Sequence, residues 1–369
     1  MPPSAELPGG ARFQYSDHLV RLVAEAHAAA AVLARGPASV LSQAGEHARR
    51  RAALWSARLD GSPIEDETAR GVDERSPSDP VSPLVGGAAS GEGGWARALK
   101  LDGLASQDVA AVEYANLLTA WEAEPALAAD VLERPSGVLV ELHGLICQDL
   151  VAPEVVGRPR RTVQAVHDGS QGKMLYAPPA PERLPALLAQ LLDWVGVASA
   201  TRPDLILAGV VHERLLEWQP FEAGNGRTAR AFTRVLLRAR GLDPHGLALP
   251  EHTWITDPLA YYGEVAATIR RRGDLTRWLE RYAEAVVEGL DRVAGQAGPW
   301  AGSPLLAEDA VRAVVSELGA DKSFTLTEVA SRAGVGRDVA LTVLRSGPAR
   351  TLVWSEPGSQ GLRYRRRDD

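Results

Sequence analysis

Apolar residues recur at three- and four-residue intervals along most of the chain, the spacing of helices that bury one face. This pattern predicts helices over about 17–35, 38–57, 106–121, 138–150, 184–195, 205–218, 231–240, 258–271 and 275–293. Ser16 stands where it can cap the first of them, and Gly36-Pro37 where the helix must stop. Residues 161–176, RTVQAVHDGSQGKMLY, read as two short strands around Asp168-Gly169 and Gly172. Pro, Ser and Gly crowd 70–94 and no hydrophobic period survives there. That stretch reads as a mobile loop within a domain rather than a boundary. A second Gly/Pro stretch, 295–304, sets off a tail. The tail predicts a helix over 305–318, a helix pair over 325–333 and 336–345 around Gly334, and two strands within 351–366 with Gly358 and Gly361 in their turn.

Length and composition narrow this picture only in part. A chain of 369 residues with 45% hydrophobic content supports a substantial core and two or three domains. Its nine tryptophans read as core anchors. A net charge of −7 argues against general coating of nucleic acid but leaves room for a local basic patch. The single cysteine, Cys147, excludes an intramolecular disulfide and a cysteine-cluster metal site, and its apolar helical surroundings read as a buried thiol. No apolar run reaches membrane-span length and the amino terminus lacks a signal-peptide pattern, so the expected compartment is the cytosol.

The densest chemistry lies in 219–230, QPFEAGNGRTAR, between the helical patterns ending at Trp218 and beginning at Ala231. Gly224-Asn225-Gly226-Arg227 forms a small-residue turn opening into a helix. The first turn of a helix has free backbone N–H groups and a partial positive charge. Glycines beside it let the backbone close around an anion. Arg227 and Arg230, three apart, add two side chains suited to phosphate. The stretch therefore reads as a phosphate-binding turn between two helices.

The full pattern resembles the signature of the Fic (Fido) family, HPFx[DE]GNGRxxR. The resemblance implies a mainly α fold, a Fic-type helical bundle with a small β-hairpin flap. It implies a loop holding nucleotide phosphates, most often those of ATP, and transfer of AMP to a hydroxyl of a target protein. The match holds at Pro220, Phe221, Gly224, Asn225, Gly226, Arg227 and Arg230. It fails at two positions that carry chemistry. Gln219 stands in place of the catalytic His, the general base, and Ala223 in place of the acid that holds Mg²⁺. An amide cannot accept a proton at neutral pH, and losing a general base alone costs ~10²–10⁴ in rate. Glu222 is one position off, and no metal-binding residue is assigned.

Further segments are similar to family features. Ser56-Ala-Arg-Leu-Asp60-Gly61 resembles the inhibitory motif [ST]xxxE[GN], with Asp for Glu, which implies that Asp60 pairs with Arg230 and competes with phosphate there. Residues 161–176 take the place of the flap that holds the target segment as an added strand. His143 and His212 read as packed helix residues. His167, on the flap, is not tied to the phosphate loop and makes a poor replacement base, while His245 and His252 lack metal-ligand spacing. The tail resembles a winged helix, which would place its second helix in a DNA major groove. Arg337, Thr342 and Arg345 are the candidate contacts there, with Arg363, Arg365, Arg366 and Arg367 on a basic wing. Packing or self-association is an equally fair use of the tail. The expected organisation is 1–100 for the N-terminal helices, inhibitory-like helix and loop, 101–295 for the Fido domain, and 304–369 for the winged-helix-like domain.

Three functional readings follow: an active transferase of AMP or another phospho-group with altered chemistry, a nucleotide-binding protein without the usual transfer, and a DNA-binding regulator on a Fido scaffold. The intact cradle favours the first two, because a pure scaffold needs neither Asn225 nor both arginines. Loss of base and acid together favours the second, and the family's usual activity favours the first. The expectation is a nucleotide-binding protein, with ATP as ligand or substrate and AMP transfer absent or weak. Partners are then a nucleotide, a protein target at 161–176 and DNA at 325–367, with no membrane. Enzyme status, the need for Mg²⁺ and oligomeric state stay open.

Overall fold

The computed structural model describes residues 7–34, 36, 38–74, 106–167, 173–295, 311, 314–315, 323–333, 336–345, 353–358 and 361–366. It is mainly helical. The amino-terminal part consists of α1 (Asp17–Leu33), α2 (Ala38–Leu59) and α3 (Asp66–Asp73). Then come α4 (Ser106–Asp130) and α5 (Pro135–Ile146), a two-stranded antiparallel hairpin of β1 (Val166–His167) and β2 (Met174–Tyr176), and α6 (Leu184–Ala198). The pair α7 (Asp204–Trp218) and α8 (Asn225–Ala239) follows, and then α9 (Pro250–Thr256), α10 (Pro258–Arg270) and α11 (Thr276–Gly295). Ser16 caps α1 by accepting from the Leu19 N–H, which satisfies one of the free donors of the first turn.

The centre of the molecule is the α7–α8 pair. Every residue of α7 but Glu217 is buried, and so is every residue of α8 from Asn225 to Leu237. Helix α7 achieves this with a nearly continuous apolar run, Leu205 to Val211. Helix α8 does it differently. Its arginines 227, 230 and 234 recur at helical spacing on one face, and each meets a carboxylate from another part of the chain. Arg227 lies 3.2 Å from Glu113, Arg230 lies 2.8 Å from Asp60, and Arg234 lies 3.6 Å from both Glu124 and Glu251. Burying a cation is costly unless it is paired or fully hydrogen-bonded, and these three arginines are paired. Helices α4, α5 and α2 cover α8, while α11 and α6 cover α7. Against α11 also lies α1.

A separate small core gathers Val311, Val314, Val315, Phe324, Val329, Ala330, Ala340, Val343, Leu344, Val353 and Tyr364. Its elements are β3 (Phe324–Thr325), α12 (Leu326–Ala333), α13 (Arg337–Arg345), β4 (Val353–Gly358) and β5 (Gly361–Arg366), with an antiparallel sheet in the order β3-β5-β4. Among the described residues no helix is long and apolar enough to cross a membrane.

Several boundaries differ from the sequence expectation. Helix α8 begins at Asn225 rather than near 231, so the glycine turn is already its first turn. Helix α4 continues past 121 through Pro125, and α5 stops at Ile146, with Cys147 as its cap. Two short helices, α3 and α9, have too few turns to show a period in the sequence. The expected loop therefore loses 70–73 to α3. Most of that loop, the hairpin turn at 168–172, the linker beyond 295, most of 305–318, Gly334, the turn at 359–360 and Arg367 lie outside the described residues.

Candidate functional site

A cleft of about 840 Å³ opens between the end of α2, the hairpin and the α7–α8 loop, with Asp60, His167, Gln219, Gly224, Arg227 and Tyr262 among the residues that line it. Its floor is residues 219–227. The chain leaves α7 through Gln219 in a left-handed conformation, φ 43°, which is strained for a residue with a Cβ. Gly224 takes a second left-handed turn, φ 70°, and a side chain there would meet Cys147 Sγ at 2.6 Å. Asn225, the next residue, closes the loop on itself: its Oδ1 accepts from the Phe221 N–H and its Nδ2 donates to the Phe221 carbonyl, both at 2.8 Å. The Asn225 side chain is thus used for loop shape. What the loop presents to the cleft is backbone N–H and arginine.

An anion already sits there. Asp60, just beyond the end of α2, accepts from the Arg227 backbone N–H at 3.1 Å, from Arg230 Nη2 at 2.8 Å and from the Tyr262 hydroxyl at 2.6 Å. Gly226 makes this possible, because a Cβ at 226 would stand 2.5 Å from Asp60 Oδ1. Burial works to raise the Asp60 pKa, but the Arg230 and Arg227 guanidinia and the Tyr262 hydroxyl hold it below the usual carboxylate range. Arg230, fully buried, also donates to Ser56 Oγ at 2.7 Å and to the Ser56 carbonyl at 2.8 Å. Three buried donors of this group, Arg227 Nε and Nη1 and Arg230 Nη1, make no hydrogen bond among the described residues, although Arg227 Nε lies 3.6 Å from Asp60 and Arg227 Nη1 3.2 Å from Glu113.

Gln219 and Ala223 contribute differently. The Gln219 amide turns back on its own helix and donates from Nε2 to the Leu216 carbonyl at 2.9 Å. The Ala223 carbonyl accepts from His143 Nε2 at 3.3 Å, while His143 Nδ1 accepts from the Gly157 N–H at 2.9 Å. Burial pushes the His143 pKa down to about 4, so this imidazole is neutral at pH 7 and supports the loop from beneath, its ring against Phe221. Cys147, also beneath the loop, is buried, and burial pushes its thiol up to about 11. Glu222 is occupied on both oxygens, accepting from the Arg161 N–H at 2.9 Å and Thr162 Oγ1 at 2.6 Å. His212 is fully buried among Trp254, Tyr261, Trp278 and Tyr282, away from the cleft lining. His167 is on the cleft wall. In the small C-terminal core, Arg337, Thr342 and Arg345 are exposed on α13, whereas Arg363 is turned to Ser323.

Three residues of this site were not singled out from the sequence. Glu113 and Tyr262 come from helices distant in the chain, and nothing in their own segments marks them. Arg160, whose side chain meets the carbonyls of Trp218 and Gln219, reads in sequence as one member of a basic run, Arg158-Pro-Arg-Arg161.

A carboxylate on a helix N-terminus, ringed by two arginines in a glycine-lined cleft, is an arrangement able to hold a phosphate in the same place. Residues 135–237 match the Fic/DOC family. The chain is 31% identical over 117 residues to protein adenylyltransferase fic-1 of Caenorhabditis briggsae, and 29% identical over 138 residues to protein adenylyltransferase Fic of Nematostella vectensis. Those matches span 31% and 36% of this chain but only 22% and 28% of the two relatives. In three dimensions the chain is similar to a Fic family protein from Desulfovibrio desulfuricans G20, with a TM-score of 0.59 at 19% identity over 96% of this chain and 98% of that one. The chain therefore carries a Fic/DOC domain in residues 135–237, on a Fic-type helical fold.

Proposed function

We propose that the cleft binds a nucleotide through its phosphates, with ATP as the expected ligand, and that transfer of its adenylyl group to protein hydroxyls is absent or weak. Phosphate contact is assigned to the backbone of Gly224, Asn225 and Gly226 and to Arg227 and Arg230. The observation that carries this reading is the Asp60 carboxylate itself: the α8 N-terminus and both arginines already hold an anion. The buried Arg227 Nε and Nη1 and Arg230 Nη1, which make no hydrogen bond among the described residues, add hydrogen-bonding capacity that a phosphate, with more oxygens than a carboxylate, would use. Asp60 then restrains the site, because a phosphate can enter only as Asp60 leaves.

The weakness of transfer follows from what faces the ligand. A hydroxyl attacking the α-phosphate must give up its proton, and Gln219 offers an amide that is no base. Its Nε2 is held on the Leu216 carbonyl. A divalent metal does not fit the residues present. Position 223 is alanine, and both oxygens of Glu222 are engaged. Phosphate charge would be balanced by Arg227 and Arg230 alone. A protein segment carrying the hydroxyl would lie along the hairpin, whose Val163 and Met174 are exposed.

Calorimetry with ATP and GTP, each with and without Mg²⁺, tests this. The wild type is expected to bind ATP at millimolar concentration or tighter with little response to Mg²⁺. Arg227→Ala should weaken binding by roughly 1.5–3 kcal/mol, the range for a charged hydrogen bond. Asp60→Gly should strengthen it. Absence of binding by any nucleotide at millimolar concentration, in both wild type and Asp60→Gly, refutes the reading.

A further inference from the structure

Arg160 is 2% exposed, and the carboxylates whose charge acts on it, Glu222 and Glu182, form no ion pair with it among the described residues. Its guanidinium is satisfied by main-chain carbonyls instead. Nε donates to Gln219 O at 2.7 Å, Nη1 to Thr162 O at 2.6 Å, and Nη2 to Pro179 O at 2.7 Å and Trp218 O at 3.3 Å. Its own backbone N–H donates to Pro220 O at 2.8 Å. Trp218 and Gln219 end α7, so the cation also sits at the negative end of that helix. Thr162 and Pro179 are the two roots of the hairpin that forms the cleft wall. One side chain therefore ties three things together: the end of α7, the left-handed turn at Gln219, and both roots of the hairpin. Neighbouring bonds run the same way, with Gln164 Nε2 donating to Phe221 O at 3.2 Å and Glu222 O at 3.0 Å.

We propose that Arg160 is a positioning residue that couples the hairpin to the loop 219–224, holding Gln219 in its strained conformation so that the two cannot move independently. A planar guanidinium with five donors can serve four carbonyls in fixed directions; a lysine ammonium has three donors and no such fork. Glycine adopts the left-handed turn without strain. If the coupling runs through that turn, Gln219→Gly relieves part of what Arg160 must do. The consequence for ligand binding rests on the nucleotide reading above, while the coupling itself does not.

Hydrogen exchange on the full chain decides it. Arg160→Lys is expected to speed exchange at least tenfold at 162–167, 174–176 and 219–224 together, while α1 and α11 stay at wild-type rates. Adding Gln219→Gly should recover much of the lost protection at 221–224. A change confined to one of the two segments, a uniform rise over the whole chain, or an additive loss on adding Gln219→Gly overturns the proposal. Where Arg160→Lys yields no folded protein, the same measurement is made with Arg160→Lys in the Gln219→Gly background, and failure to fold there also overturns it. In parallel, ATP affinity should fall about tenfold in Arg160→Lys; a wild type that binds no nucleotide removes this arm with the nucleotide reading and leaves the exchange result to stand alone.

Discussion

Asp60 meets groups from two other helices: the Arg227 N–H and the Arg230 guanidinium of α8, and the Tyr262 hydroxyl of α10. Arg230 is fully buried, so removing its carboxylate strands a cation, a change that typically costs about 3–5 kcal/mol. Asp60→Asn is expected to destabilise near the lower end of that range, because Asp60 itself keeps some solvent contact and Ser56 still accepts from Arg230. In a double-mutant cycle with Arg230→Ala, the coupling should be about 1–3 kcal/mol. Independent effects would mean that the pair does not interact. The pH dependence has a definite sign. The folded carboxyl is held below its ordinary 3.8, so its stabilisation is complete above that value and is lost only as pH falls through the folded pKa. The Tm difference between wild type and Asp60→Asn should therefore be level from pH 7 to about 5 and shrink below pH 4. A difference that grows on acidification contradicts the assignment.

At the scale of elements, α8 carries the site with its first turn, and Gly226 is the position where that turn touches Asp60. Its backbone is ordinary helix, so alanine there gains roughly 1 kcal/mol of helix propensity while its Cβ collides with Asp60 Oδ1. Gly226→Ala thus separates two effects that Asp60→Gly cannot. It should free Arg230 from Asp60 and yet weaken ATP binding at least tenfold, because the same methyl fills the phosphate position. Binding as tight as in Asp60→Gly would show that phosphate does not sit on this turn. Much of this element was legible in the sequence. The glycines, the arginines and the apolar run of α7 stand together in one stretch, and the SARLDG segment pointed to Asp60. The helix start at Asn225 was not legible, since NGRTAR has no apolar period and its burial depends on Glu113, Glu124, Glu251 and Asp60 from elsewhere. Arg160 was hidden for a similar reason. Its partners are carbonyls, which every residue has, so no sequence pattern announces them.

Across the whole molecule, the buried α7–α8 pair is covered by helices on both sides, and the loop 219–224 between them is closed on itself and stitched to the segment leading into the hairpin. The account therefore places the limit on transfer in two side chains, Gln219 and Ala223, rather than in the fold. Restoring the base alone leaves phosphate charge poorly balanced, and restoring the acid alone leaves the attacking hydroxyl without a proton acceptor. Both act on one transition state, so their effects should exceed additivity. The most direct test is self-modification from ATP labelled in its α-phosphate, measured for wild type, Gln219→His, Ala223→Asp and the double variant. The account predicts clear labelling in the double variant, rising further with Asp60→Gly, and much less in each single variant and the wild type. Substantial labelling by the unaltered protein, abolished by Gln219→Ala, would contradict it and give the glutamine a working role of its own.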